Sequence, residues 1–163
     1  MTANTVSAIQ ESQVELALNR AGSAVLRLAY TYLHNMDDAK DILQDTLIQL
    51  MRAHPVFEST DHEKAWMLRV AANLSKNRIA YNKRRATDEL RDDLVAEHRE
   101  DLAFVWDAVQ QLKDTYRAAV HLHYYEGYST AEIAKILGRK ESTVRSDLRR
   151  GRMQLRKILE EGV

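Results

Sequence analysis

Apolar residues recur at helical spacing along most of this chain. Leu16, Val25, Leu26, Ala29, Tyr30 and Leu33 mark a first helix over about 12–33, after a polar, frayed stretch over about 1–11. A turn at 34–37 follows. Ile42, Leu43, Leu47, Leu50 and Met51 mark a second helix from Asp37 or Asp38 to about Arg52, and Pro55 lies in the loop 54–61 beyond it. A long third helix over about 62–85 gathers Trp66, Met67, Val70, Ala71, Leu74 and Tyr81 on one side. Arg69, Asn73, Lys76 and Asn77 fall toward the other. Periodicity is lost over 86–101. A second helical group then begins, over 102–112 and 114–125, and ends in two more helices.

The last pair carries the sharpest pattern, YSTAEIAKILGRKESTVRSDLRRGRMQLRKIL over 128–159. Ser129 can cap a helix, with Glu132 three residues on as a capping box requires. Ile133, Ala134 and Leu137 give that helix an apolar side, and Gly138 supplies a tight turn. A second helix starts near 141–142. Helix, short glycine turn and helix together form a DNA-binding signature. At about 100° per residue, Val144, Leu148, Gly151, Leu155 and Ile158 share one side of the second helix. Ser142, Arg145, Ser146, Arg149, Arg150, Arg152, Arg156 and Lys157 share the other. From 138 to 158 there are eight Lys/Arg against two acids. A solvated basic face is the plain alternative. The capped helix and glycine turn favour DNA contact, because guanidinium groups fit phosphates and the acceptor edges of guanine.

Composition narrows the class. With 163 residues, 45% hydrophobic, one proline and five glycines, the chain reads as all-α and fits one ordinary or two small domains. Cysteine is absent, so a disulfide framework or zinc–thiolate site is excluded and a reducing compartment fits. No apolar run approaches a membrane span and no signal-peptide pattern opens the chain, so a cytoplasmic protein without membrane insertion is expected. The net charge of zero hides separated blocks. The last helix is basic, as are Arg78 and Lys83–Arg84–Arg85, while 88–101 holds seven acids against two arginines. Such blocks imply different surfaces for different partners, and the acidic one can restrain DNA binding until displaced. The organisation expected is a helical domain over 1–85, an acidic linker over 86–101 and a helix-turn-helix domain over 102–163.

Asp38, Asp41, Gln44, Asp45 and Gln49 form the polar side of the second helix. Capping and solubility explain acids near a helix N-terminus equally well. Two asparagines on the stripe of Arg69, Asn73, Lys76 and Asn77 are unusual, given their mediocre helix propensity. Their amides can pair with exposed base edges while Arg and Lys hold phosphates. Trp66 reads as core. The six histidines are scattered, and His121 and His123 cannot face one side of a helix. No metal site, cofactor site or catalytic set is assigned, and the chain is read as a non-enzyme.

Taken together, these segments resemble a bacterial RNA polymerase sigma factor of the sigma-70 family, in its short two-domain extracytoplasmic-function (ECF) group. DAKDILQDTLIQLMRA resembles the family's core-docking segment, HEKAWMLRVAANLSKNRI the segment that opens and reads the −10 element, and DTYRAAVHLHYYEGYSTAEIAKILGRKESTVRSDLRRGRMQLR the fourth region, which reads the −35 element. The resemblance implies a region 2 bundle and a region 4 helix-turn-helix, without the family's large third domain. It implies that Asp41, Gln44 and Asp45 meet the β′ clamp coiled coil, and that Arg69, Asn73, Lys76 and Asn77 face the −10 element. The loop 57–61 matches the place where a base is flipped out. Lys140, Ser142, Arg145, Ser146, Arg149 and Arg150 would contact the −35 element. Core polymerase (β′ clamp and β flap), promoter DNA and an anti-sigma factor are the implied partners. Two departures stand out. Lys113 replaces a frequent proline, and Asp147 replaces a frequent basic residue, where it would repel phosphate or accept from a cytosine amino group. A stand-alone helix-turn-helix regulator and a helical adaptor that binds no DNA are the alternatives; either lacks a reason for the acidic and basic helices of the first half.

Overall fold

Seven α-helices and no strand make up the residues that the computed structural model describes, 3–85 and 103–161. They are α1 (Ala3–Leu33), α2 (Met36–Ala53), α3 (Thr60–Arg85), α4 (Ala103–Gln110), α5 (Asp114–Val120), α6 (Thr130–Leu137) and α7 (Glu141–Glu161). α5 runs on into a wider π turn, His121–Tyr125. The acidic linker expected over 86–101 lies outside the described residues. α1, α2 and α3 form one small helical domain. α4 to α7 form a second.

Local chemistry sets the boundaries. His34 takes a left-handed conformation (φ 51°) and donates its N–H to the Tyr30 carbonyl at 2.8 Å. Asn35 then caps α2, its Oδ1 accepting from the Asp38 N–H at 2.9 Å. Asp37 and Asp38 add charge that suits the N-terminal end of the helix dipole. His54, also left-handed, closes α2 just before Pro55. α1 begins at Ala3 rather than near Ser12.

Leu28, Ile42, Met67 and Leu68 are fully buried between α1, α2 and α3, and Leu122, Ile133 and Val144 in the second domain. Each such side chain contributes about 1.5–3 kcal/mol of burial. Buried hydroxyls turn back on their own helices: Thr31 donates to the Arg27 carbonyl at 2.8 Å and Thr46 to that of Ile42 at 2.7 Å. Three residues on the apolar sides of their helices are exposed: Leu16, Met51 and Tyr81. Leu16 and Met51 fall at the rim of the bundle, where they line a groove with Val56 and Phe57 instead of meeting another helix.

The two domains pack on each other, α1 and α3 against α5, α6 and the π turn. Charged groups carry much of this seam. Glu126 is buried and accepts from Arg27 Nε at 2.9 Å and from Lys64 Nζ at 3.4 Å, with His121 Nε2 at 3.6 Å. Burial alone would raise the Glu126 carboxyl. The nearby His121 ring, with the hydrogen bond and charge of Arg27, outweighs it and holds the group at about 2. Arg117 bridges the domains as well, donating to the Tyr32 carbonyl at 2.8 Å and to that of Gln110 at 3.0 Å.

At Gly151 α7 packs tightly on α5: a Cβ there would come within 2.8 Å of Val120 Cγ2. Val120 is buried and β-branched, so it cannot swing away. Gly22 would meet Leu18 Cδ1 at the same distance, but that side chain is exposed and free to move. Gly151→Leu should therefore lower stability by about 1–3 kcal/mol through overpacking. Gly22→Ala should raise it by up to about 1 kcal/mol through helix propensity. Thermal unfolding of the two variants checks the contrast; equal and opposite shifts to these would misplace the close approach.

Candidate nucleic-acid interface

The helix-turn-helix is built as its sequence pattern requires. Ser129 Oγ accepts from the Glu132 N–H at 3.2 Å, and Glu132 Oε1 accepts from the Ser129 N–H at 3.1 Å, a complete capping box. Bonds from the Ser129 N–H and hydroxyl to the Glu132 carboxyl also lower its pKa. Gly138 ends α6 at φ 65°, ψ 42°, a left-handed conformation that glycine adopts without strain. Its N–H and that of Arg139 both go to the Ala134 carbonyl. Thr130 Oγ1 donates to Glu141 at 2.9 Å across the turn, so the start of α7 is fixed against the start of α6.

On α7, Val144, Leu148 and Gly151 turn inward. Lys140, Ser142, Arg145, Arg149 and Arg150 are exposed, and Ser146 is half-buried. Ser142, Ser146 and Arg149 follow i, i+4, i+7 spacing, with Arg145 and Arg150 beside them. The stripe changes character toward its C-terminal end. Arg152 donates to the Tyr124 hydroxyl at 3.0 Å, and Arg156 pairs with Glu160 at 3.1 Å. Asp147 departs from expectation. It is buried, and Arg139 Nη1 donates to its Oδ2 at 2.7 Å. The acid therefore braces the turn from within and does not stand on the outward face, where it would repel phosphate or accept from cytosine.

The first domain presents two further faces. Asp41, Gln44 and Asp45 are exposed together on α2. Arg78 ties that helix to α3, with Asp38 at 3.0 Å and Asp41 at 3.6 Å, and Asn82 donates to Asp38 at 3.0 Å. On α3, Arg69, Asn73 and Asn77 are exposed. Lys76 is half-buried and donates to the Leu137 carbonyl of the second domain at 3.5 Å. Burial and the nearby charge of Arg139 lower its pKa. Trp66 is half-buried and packs edge-on to Phe57 at 5.8 Å between centroids, as a core-margin residue. The sequence reading missed Glu126, Arg27 and Lys64. No linear signal could find them, since the partners lie 99 and 62 residues apart. Among the described residues, no helix is long and apolar enough to cross a membrane.

Asp147→Asn tests the inward role. It should lower stability, read by thermal unfolding, by less than the roughly 3–5 kcal/mol of a fully buried pair because a fifth of the Arg139 side chain stays exposed. The preferred duplex sequence should not change. A new base preference at unchanged melting would return Asp147 to the DNA face.

Comparison with known proteins agrees with this geometry. Residues 18–85 match the model of sigma-70 region 2, and residues 105–155 that of sigma-70 region 4. The ECF RNA polymerase sigma factor SigL of Mycobacterium tuberculosis is 30% identical, over 95% of this chain and 94% of the relative. SigE of Mycolicibacterium smegmatis is 34% identical over 83% of this chain; the match spans 57% of that longer relative. Among solved structures, the sigma factor RpoE of Bartonella quintana, in complex with the anti-sigma factor NepR, aligns at a TM-score of 0.75 and 25% identity, over 92% of this chain and 96% of that one. A match to region 2 sets aside both the stand-alone regulator and the adaptor that binds no DNA. The chain belongs to the sigma-70 family, in the ECF group of sigma factors that direct RNA polymerase to promoters.

Proposed function

We propose that this sigma factor divides its work among three faces. Residues 1–85 dock on core polymerase and read the −10 element, 86–101 link the halves, and 102–163 read the −35 element. The observation that carries this is the separation of charge by element. Asp41, Gln44 and Asp45 lie exposed on α2, Arg69, Asn73 and Asn77 on α3, and Arg145, Arg149 and Arg150 on α7. An acidic and amide face suits the basic coiled coil of the β′ clamp, since charge complementarity steers docking. The amides of Asn73 and Asn77 suit base edges in a melted strand, with Arg69 and Lys76 on phosphates. Lys140, Ser142, Arg145, Ser146, Arg149 and Arg150 suit a major groove. The apolar groove of Tyr124, Leu155 and Leu159 beside α7 suits the β flap.

The chain catalyses nothing itself; it lends specificity to the polymerase and works in the cytoplasm. An anti-sigma factor is a further partner, supported by the likeness to RpoE bound to NepR.

Asp45→Arg should slow association with core polymerase by about tenfold at low salt and leave helicity intact, because it places like charge against a basic partner. Unchanged association kinetics would remove α2 from the interface. Arg145→Ala and Arg149→Ala should each relax the preferred −35 sequence at one or two positions. A good bidentate arginine–guanine pair discriminates by about 1–3 kcal/mol. Selection of −35 sequences by each mutant holoenzyme measures this. Variants that keep the parental motif and lose only affinity would make the stripe a phosphate clamp.

A further inference from the structure

We infer that the cavity where the end of α1, the last turns of α3 and α5 meet is a binding site for a small oxyanion, about the size of phosphate. Neither the docking nor the reading roles proposed above use these groups, so the inference stands apart from them.

Tyr32 and His34 at the end of α1, Asn82 and Lys83 of α3, and Asp114 and Arg117 of α5 line this cavity of about 260 Å³. Sites for drug-sized molecules run to roughly 300–1,000 Å³, so the space suits a small ion. Two of the lining residues carry a buried polar atom with no hydrogen-bond partner among the described residues, Tyr32 Oη and Arg117 Nε. Such groups are costly to bury and ordinarily find a partner. Arg117 Nε–H can only donate. Burial raises the Tyr32 pKa, so the phenol stays protonated and can donate as well. Both groups call for an acceptor oxygen.

Charge decides what kind of acceptor fits. The charges that act on the Tyr32 hydroxyl are the guanidiniums of Arg139 and Arg117 and one carboxylate, Asp114. Arg117 gives its Nη groups to the carbonyls of Gln110 and Tyr32, at 3.0 and 2.8 Å. Asp114 meets it from that same side, 3.5 Å from Nη2, and is 44% exposed. Among the described residues no other acid pairs with Arg117. Lys83 adds an exposed cation at the rim, while Asn82 already donates to Asp38. Water would serve the two donors and leave the surplus positive charge. A tetrahedral oxyanion meets both needs. One oxygen accepts from Tyr32, another from Arg117 Nε–H, and Lys83 balances the remaining charge at the mouth.

The test titrates inorganic phosphate into the full chain, beside sodium chloride at matched ionic strength, and follows the Arg117 Nε–H resonance by NMR. Phosphate should shift that resonance in a saturable way, with half-saturation on the order of 1 mM, as a few charge-assisted bonds give. Chloride should not reproduce the shift. Two variants fix the location. Tyr32→Phe removes a hydroxyl that makes no hydrogen bond within the fold and should weaken binding about tenfold. Lys83→Gln removes an exposed cation and should weaken it about two- to fivefold. Circular dichroism checks that both variants fold, and the parental titration decides the matter if either does not. Glycerol phosphate in a parallel titration separates the sources: an equal shift means that the phosphate of an ester serves, and no shift means that the free ion is required. Either result keeps an oxyanion in the cavity. An Arg117 resonance that phosphate leaves unmoved overturns the inference. So does a shift that chloride reproduces, or a pair of folded variants that both keep the parental half-saturation.

Discussion

A buried carboxylate cannot stand alone in a protein interior, and Glu126 is the group through which this constraint organises the molecule. Its side chain is 4% exposed, at the end of the π turn that follows α5. Compensation comes from Arg27 on α1 and Lys64 on α3, both in the other half of the chain. The second domain is therefore seated against two helices of the first at a defined place. That seating puts the Leu137 carbonyl over Lys76 and the Arg117 guanidinium on the Tyr32 carbonyl. Apolar packing alone would leave the orientation loose. Directional, charge-assisted bonds select one.

The same logic of distributed charge resolves the neutral total. The chain does not need net positive charge to bind DNA, because cations are concentrated on α7 and on one side of α3, while acids gather on α2, at the domain seam and in the stretch 88–101, which holds seven. Asp147 shows how finely this is arranged. It is the one acid of α7 between Glu141 and Glu160, and it is turned inward onto Arg139. The middle of the outward stripe is thereby kept free of one negative charge, and the pair stiffens the turn that sets the angle of α7.

Much of this was legible in the sequence because it is local. The Ser129–Glu132 capping box, the left-handed Gly138 and the inward Val144, Leu148 and Gly151 follow from spacing within a few residues. Helix existence and order followed from apolar periodicity. What escaped was long-range or positional. Leu16 and Met51 have helical spacing but lie at a rim, and periodicity cannot tell a rim from a core. The π turn at His121–Tyr125 differs from an α-helix by one residue per turn, which no residue type announces. Asp147 was expected at the DNA by resemblance alone; by angle it falls beside Gly151 and Ile158, and only the structure shows its partner, Arg139, eight residues away across the turn. The partners of Glu126 were invisible for the same reason at greater distance.

Run-off transcription with purified core polymerase on a library of randomised promoters tests the central claim most directly. With this chain present, transcripts should arise from templates that share two conserved blocks at a fixed separation, one near −35 and one near −10, and none should arise from core alone. Failure to support any chain-dependent transcript, while the chain alone binds duplex DNA, would contradict the account.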